Sequence, residues 1–174
     1  MTAAPVASQR LFVALWPDDA TRNAIAQWQA LWHWPPHAAA VRAERLHLTL
    51  HFLGNVSATM VPRLHEALDV RWNPFTLELG VPDVWGNGVA VLRPHHTPAA
   101  LEALHTSLAT ALTRIGLSLE ARPYRPHVTL ARRASHARPP QENIHVPWRA
   151  AGHVLVRTLP AGGRYEIIGR WDAA

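Results

Sequence analysis

The pattern His-x-Thr-Leu occurs twice in this chain, as His47-Leu48-Thr49-Leu50 and His127-Val128-Thr129-Leu130, and each copy follows an Arg-x pair, Arg45-Leu46 and Arg125-Pro126. Both copies alternate polar and apolar residues with period two, so strands built from them would show His and Thr on one face and aliphatic residues on the other. Two imidazoles brought together without a thiol make an acid and base pair able to work near neutral pH. Transfer at phosphorus needs such a pair, one group taking a proton from water and the other returning one to the departing oxygen. Thr49 and Thr129 would donate hydrogen bonds to the non-bridging oxygens, and Arg132, five positions after His127, adds a planar fork for phosphate. A substrate whose leaving oxygen stays tethered, such as a ribose cyclic phosphate, suits so compact a site.

Other residues gather around this set. If the alternation of the first motif continues, His51 shares a face with His47 and Thr49, where it would line the cleft as a substrate-binding residue or, with His47 and a further histidine, hold zinc. No carboxylate or third histidine stands at a standard offset for a metal, so the expectation is a site without metal or cofactor. Tyr124, just before the second motif, is the aromatic expected near a base. A third approximate copy, His95-His96-Thr97-Pro98, is set aside because Pro98 cannot continue a central strand. Trp28 and Trp32 at helical spacing, and the Leu101 to Leu112 stripe, read as core.

The elements that must position these residues come in a repeated order. Arg10 to Trp16 reads as a buried strand stopped by Pro17-Asp18-Asp19, which also caps a helix from about Ala20 to Trp32 with Ile25, Trp28, Leu31 and Trp32 on one face. The first signature strand runs from Leu46 to Leu53 and closes at Gly54-Asn55. Ser57 or Thr59 would cap a second helix carrying Leu64 and Leu68, with Pro62 in its first turn. Strands follow at Phe75 to Leu79, Val81 to Trp85 and Val89 to Arg93, the last two joined by the Gly86-Asn87-Gly88 turn. Thr97-Pro98 starts a helix that Gly116 ends. After the second signature strand, a polar loop around Ala137 to Glu142 leads to closing strands near His153 to Thr158 and Tyr165 to Ile168. The histidines lie 127 − 47 = 80 residues apart, and strand, helix, signature strand occurs twice. Two similar lobes facing a central cleft are therefore expected.

Composition bounds the rest. At 174 residues, 48% hydrophobic and 17% charged, the chain is sized for one globular unit, with residues 1–9 flexible. It has no cysteine, which excludes disulfides and thiolate metal sites. No segment has the length of a membrane span or the form of a signal peptide, so the expected compartment is the cytoplasm, and a monomer is expected. The net charge is +5 and all 17 basic residues are arginine, which suits a polyanionic partner such as RNA, although a GC-rich genome would also replace lysine wholesale.

The stretch Arg10-Leu11-Phe12-Val13-Ala14-Leu15-Trp16-Pro17, then Leu46-His47-Leu48-Thr49-Leu50-His51-Phe52-Leu53-Gly54, then Pro126-His127-Val128-Thr129-Leu130-Ala131-Arg132, resembles the two-histidine (2H) phosphoesterase superfamily. Within it the chain is similar to the RNA 2',3'-cyclic phosphodiesterase branch, often labelled 2'-5' RNA ligase. The resemblance implies an α+β, bilobed fold with antiparallel-rich sheets and outer helices, and metal-independent hydrolysis of RNA 2',3'-cyclic phosphate ends to 2'-phosphates. By position it makes His47 and His127 catalytic, Thr49, Thr129 and Arg132 phosphate ligands, His127 the base and His47 the acid. Where the family often has serine, this chain has Arg157-Thr158-Leu159. Within the same superfamily, small nucleotide cyclic phosphates or 2',5'-linked oligonucleotides are alternative substrates and ligation an alternative reaction. A non-catalytic RNA-binding module is the alternative from another class.

Overall fold

The computed structural model describes residues 7–160 and 163–174. Among them the chain forms nine strands and three α-helices: β1 (Ser8–Leu15), α1 (Asp19–Gln29), β2 (Ala39–Ala40), β3 (Leu48–Ser57), α2 (Val61–Ala67), β4 (Phe75–Val84), β5 (Ala90–Pro94), α3 (Ala99–Arg114), β6 (Val128–Arg132), β7 (Val146–Ala150), β8 (Gly152–Thr158) and β9 (Tyr165–Asp172). All the strands join one sheet in the order β7-β4-β5-β6-β3-β1-β8-β9, with β2 on β6, and every pairing is antiparallel. The two lobes are the two halves of this sheet, β1, β3, β8 and β9 in one and the remaining strands in the other. They meet through a single registered pair, Leu48 opposite Val128.

Strand, helix, signature strand is realised as β1-α1-β3 and β5-α3-β6. The helices cover one face of the sheet, where Leu11, Leu15, Ile25, Leu48, Leu101 and Trp148 are fully or almost fully buried in the main core. A smaller apolar cluster, Phe12, Ala14, Val154 and Val156, lies on the other face of the first lobe with Trp16, Tyr165 and Ile167 packed against it. No helix among the described residues is long and apolar enough to cross a membrane.

Several boundaries differ from the sequence reading. Residues 1–6 lie outside the described residues, and Ser8 and Gln9, expected to be flexible, are paired in β1 with Ser57 and Val56. Asp18 caps α1 as expected, its carboxylate accepting from the Thr21 N–H at 2.7 Å, and that bond holds its pKa below the ordinary value. The helix stops at Gln29, because the chain tightens with Leu31 and Trp32 bonding Trp28 and Gln29 and the Trp34 indole donating to the Gln29 carbonyl at 3.2 Å. Leu31 is consequently 56% exposed and leaves the apolar face. Gly54-Asn55 does not end β3; Gly54 has a φ of 69°, and a bulge between it and Phe52 lets the strand run on to Ser57. Gly80 likewise marks a bulge inside β4 and not a break between two strands, and a Cβ there would collide with the His95 ring. Strand β7 escaped notice because Pro147 sits in it, a position tolerated at the sheet edge.

Leu48 and Val128 form the seam and both are fully buried. Leu48→Ala should therefore cost about 2–5 kcal/mol of unfolding free energy by cavity formation, read in urea titrations. A loss under about 1 kcal/mol would show that the lobes are held together elsewhere.

Candidate active site

The Leu48–Val128 pair separates histidine from threonine in both motifs, so its antiparallel register sets His47 toward Thr129 and Thr49 toward His127. Leu48 and Val128 point into the core, leaving the two histidines and two threonines on the opposite face, all half-buried. They form a square with like residues on its diagonals. The register of the flanking strands then changes at the same place in each motif. In the first lobe Ala14 pairs with Thr49 and Val13 with His51, so Leu50 is the extra residue of a bulge. In the second, Val91 pairs with Thr129 and Ala90 with Ala131, so Leu130 is the extra residue.

These matched bulges reverse the alternation. Arg132 stands an odd number of residues after His127 and would face the core in a regular strand; the bulge turns it back to the cleft, where its charge acts on both histidines. His51 goes the other way. It lies opposite Val13, 6% exposed, stacked on His105 of α3 at 4.0 Å, and its Nε2 hydrogen-bonds the His105 carbonyl at 2.8 Å. It therefore neither lines the cleft nor shares a metal with His47. Among the described residues no three His, Asp or Glu side chains converge to hold a metal ion.

Each catalytic candidate is oriented identically. His47 Nδ1 lies 2.7 Å from the Arg45 carbonyl and His127 Nδ1 lies 2.6 Å from the Arg125 carbonyl. A carbonyl only accepts, so both Nδ1 atoms carry hydrogen and each neutral ring is left with its Nε2 lone pair. The Arg-x prefix is thereby explained twice over, because each arginine also lays its guanidinium 4.5 Å over an aromatic ring that touches the histidine: Arg45 over Tyr165, Arg125 over Trp85.

With this geometry in view, the sequence pattern of the 2'-5' RNA ligase superfamily matches residues 17–151. The chain belongs to that superfamily. An RNA 2',3'-cyclic phosphodiesterase of Escherichia coli is 39% identical over 169 residues, covering 94% of this chain and 96% of its own length. One from Aeropyrum pernix is 34% identical over 106 residues, covering 53% and 55%. The crystal structure of E. coli LigT complexed with 3'-AMP superposes with a TM-score of 0.87 at 33% identity, over 97% of this chain and 99% of that one. The fold is thus the bilobed 2H phosphoesterase fold expected from the paired motifs.

In this member of the superfamily the two half-sites have different walls. His47 is enclosed by Phe12, Trp16 and Tyr165, with ring centroids at 4.9, 5.3 and 5.5 Å. Desolvation, together with the positive charges of Arg45 and Arg132 and its coupling to His127, lowers its pKa from 6.5 to about 4. His127 meets only the edge of Trp85, at 4.5 Å, and its pKa is also lowered, first by desolvation and then by Arg125, Arg132 and Arg122. Burial thus disfavours the charged form of both imidazoles, most strongly at His47.

Each bulge is tied to the helix that precedes the other signature strand in the chain, with α1 packed on β7 of the second lobe and α3 on β3 of the first. Gln29, at the end of α1, is buried and donates through Nε2 to the Leu130 carbonyl at 2.7 Å and the Val41 carbonyl at 2.9 Å. In the first lobe His51 bonds α3, and the Leu50 carbonyl favours a proton on the His105 ring, whose pKa burial lowers to about 4. Tyr124 completes this brace. Its ring stacks on His105 at 3.9 Å and its hydroxyl donates to the Thr49 carbonyl at 3.3 Å, while burial pushes its pKa up and keeps it protonated. One face of Tyr124 is thus taken by His105, and its hydroxyl holds the Thr49 backbone. Gln29, His105 and the aromatic walls were missed in the sequence; the tryptophan in the opening strand was the one available signal.

Removing a brace should be measurable. Gln29→Leu takes the side-chain donor from the Val41 carbonyl and leaves the buried Leu130 carbonyl with the Val41 N–H alone, and should lower unfolding free energy by about 1–3 kcal/mol, and Tyr124→Phe by about 0.5–1.5 kcal/mol. Urea titration of both variants checks this; unaltered stability in Gln29→Leu would mean that the Leu130 bulge stands without α1.

Proposed function

We propose that this chain hydrolyses 2',3'-cyclic phosphates at RNA ends to 2'-phosphomonoesters, with His47 and His127 as the proton carriers. The observation that carries this reading is the diagonal pair of imidazoles, each with Nδ1 held by a carbonyl and Nε2 left free, beside two threonines and an arginine. The activity itself is the one named for the relative that aligns over nearly the whole chain and for three that align over about half of it. An RNA-binding module without chemistry would have no use for two histidines locked in the same tautomer.

The bond changes follow from the product. Water attacks phosphorus as His127 Nε2 takes its proton; the bond from phosphorus to O3' breaks, and His47 Nε2–H delivers a proton to O3'. The phosphate stays on O2'. Thr49 and Thr129 hydroxyls, which have no hydrogen-bond partner among the described residues, donate to the non-bridging oxygens, and Arg132 balances their growing charge. A ribose 5'-hydroxyl in place of water gives a 2'-5' linkage by the same bond changes, which relates ligation to hydrolysis.

Which histidine is protonated depends on the substrate. We take His47 as the acid, as the motif resemblance implies, whereas burial disfavours its charged form; the phosphate anion must therefore offset desolvation and the repulsion from Arg45 and Arg132 before His47 can carry a proton. Substrates bound to the minority of enzyme that holds one proton react most readily. The bell-shaped profile of kcat/KM should consequently peak on the acid side, between the value near 4 for His47 and the ordinary histidine value of 6.5. Rates measured from pH 4 to 9 in a three-component buffer test this, and a maximum above pH 7.5 would contradict it.

The function is tested with a short RNA ending in a 2',3'-cyclic phosphate, in the presence of a chelator. His47→Ala and His127→Ala should each lower turnover roughly a hundred- to ten-thousand-fold while leaving the melting temperature near that of the wild type. The product should be the 2'-phosphate. A 3'-phosphate would place the departing oxygen on the other side of the cleft, and near-normal turnover in either variant would remove that histidine from the reaction.

A further inference from the structure

One end of the cleft carries charges that the chemistry above leaves unused. Leu92 of β5 pairs with Val128, so Arg93, one step further along, stands beside His127 on the cleft face. The matching position in the first lobe, one step past the Leu15–Leu48 pair, is Trp16, which stacks on His47. Equivalent positions thus hold an indole in one half-site and a guanidinium in the other.

Beyond Arg93 the chain runs through His95 and His96 toward α3, and Tyr124-Arg125-Pro126 lies across from it; together they line a cavity of about 210 Å³. The Nε of Arg93 is buried without a hydrogen-bond partner. Its nearest carboxylate, Asp83, is 3.4 Å away and already accepts from the Trp85 indole at 3.2 Å. Arg125, held over Trp85, makes no salt bridge among the described residues. Asp83 offsets one of the two guanidinium charges, and the other is left over. A cationic cavity two residues from His127 matches an anion that is part of the substrate but not its reacting phosphate.

We propose that this cavity binds the phosphate on the 5' oxygen of the terminal nucleoside, that is, the phosphodiester linking the reacting end to the rest of an RNA strand. Arg93 and Arg125 would grip it through their planar forks. The proposal rests on the cyclic phosphodiesterase reading of the cleft and narrows its substrate class. RNA ends and 5'-phosphorylated nucleotides are favoured over nucleoside cyclic phosphates with a free 5'-hydroxyl.

Two measurements in wild type, Arg93→Gln and Arg125→Gln test it. The first is kcat/KM for adenosine 2',3'-cyclic phosphate with a 5'-phosphate or a 5'-hydroxyl. The second is calorimetric binding of adenosine 2',5'-bisphosphate against adenosine 2'-phosphate. Wild type should favour the 5'-phosphate by roughly tenfold or more in both, as expected for one charge-assisted contact, and each variant should reduce that ratio to about threefold or less. A wild-type ratio near one, or a ratio retained in both variants, overturns the subsite. Absence of turnover on either cyclic phosphate, with a binding preference that the variants lose, overturns the activity and leaves the subsite standing. Arg125 is exposed, so Arg125→Gln gives a reading even if loss of the Arg93–Asp83 pair unfolds the other variant.

Discussion

Residues at even spacing share a face of a strand, and a residue at odd spacing can join them only through a break in register. The bulges at Leu50 and Leu130 are that break, and the site depends on them. They let the seam pair Leu48–Val128 hold four functional groups in a square while Arg132 is recruited from a position of the wrong parity. A bulge leaves an unpaired residue whose backbone groups must be satisfied elsewhere. Here the partners come from buried side chains, Gln29 directly and the His51–His105–Tyr124 stack around Leu50.

The same skeleton carries two different walls. Around His47 three aromatic rings exclude water and make charge costly; around His127 a single indole, an arginine and a more open surface leave the ring less perturbed. Symmetric backbones therefore yield imidazoles of unequal basicity, and because the less basic ring is the proposed acid, the bound phosphate must supply the charge that lets His47 hold a proton. The inequality comes from side chains on β1 and β9 in one lobe and from the end of β4 in the other, not from the motifs themselves.

How much of this was legible follows from the range of each signal. Period-two alternation marked His47, Thr49, His127 and Thr129, because it acts within four residues, and the helices were visible through their leucine spacing. Extending the alternation past Leu50 put His51 in the cleft, because leucine gives no sign of a bulge. Glycines gave misleading punctuation: Gly54 and Gly80 read as ends of strands, whereas both absorb bulges within them. Tyr124 was placed near the site by its position before the second motif, whereas its bond to the Thr49 carbonyl, 75 residues away, was out of reach. Gln29 and His105 were beyond reach, since their partners lie 101 and 54 residues away.

That separation bears on how the protein comes into being. In chain order each helix precedes one signature strand but packs on the lobe of the other and braces the strand there, so neither half of the chain contains the parts needed to shape its own half-site. Contacts spanning 54 and 101 residues close late, because the entropy of large loops must be overcome before they reward the chain. The first lobe itself needs β8 and β9, which follow the second signature strand, so a chain still emerging from the ribosome holds a His-x-Thr strand but neither a finished lobe nor a working cleft. Competence for proton transfer thus waits on contacts that join both halves of the chain.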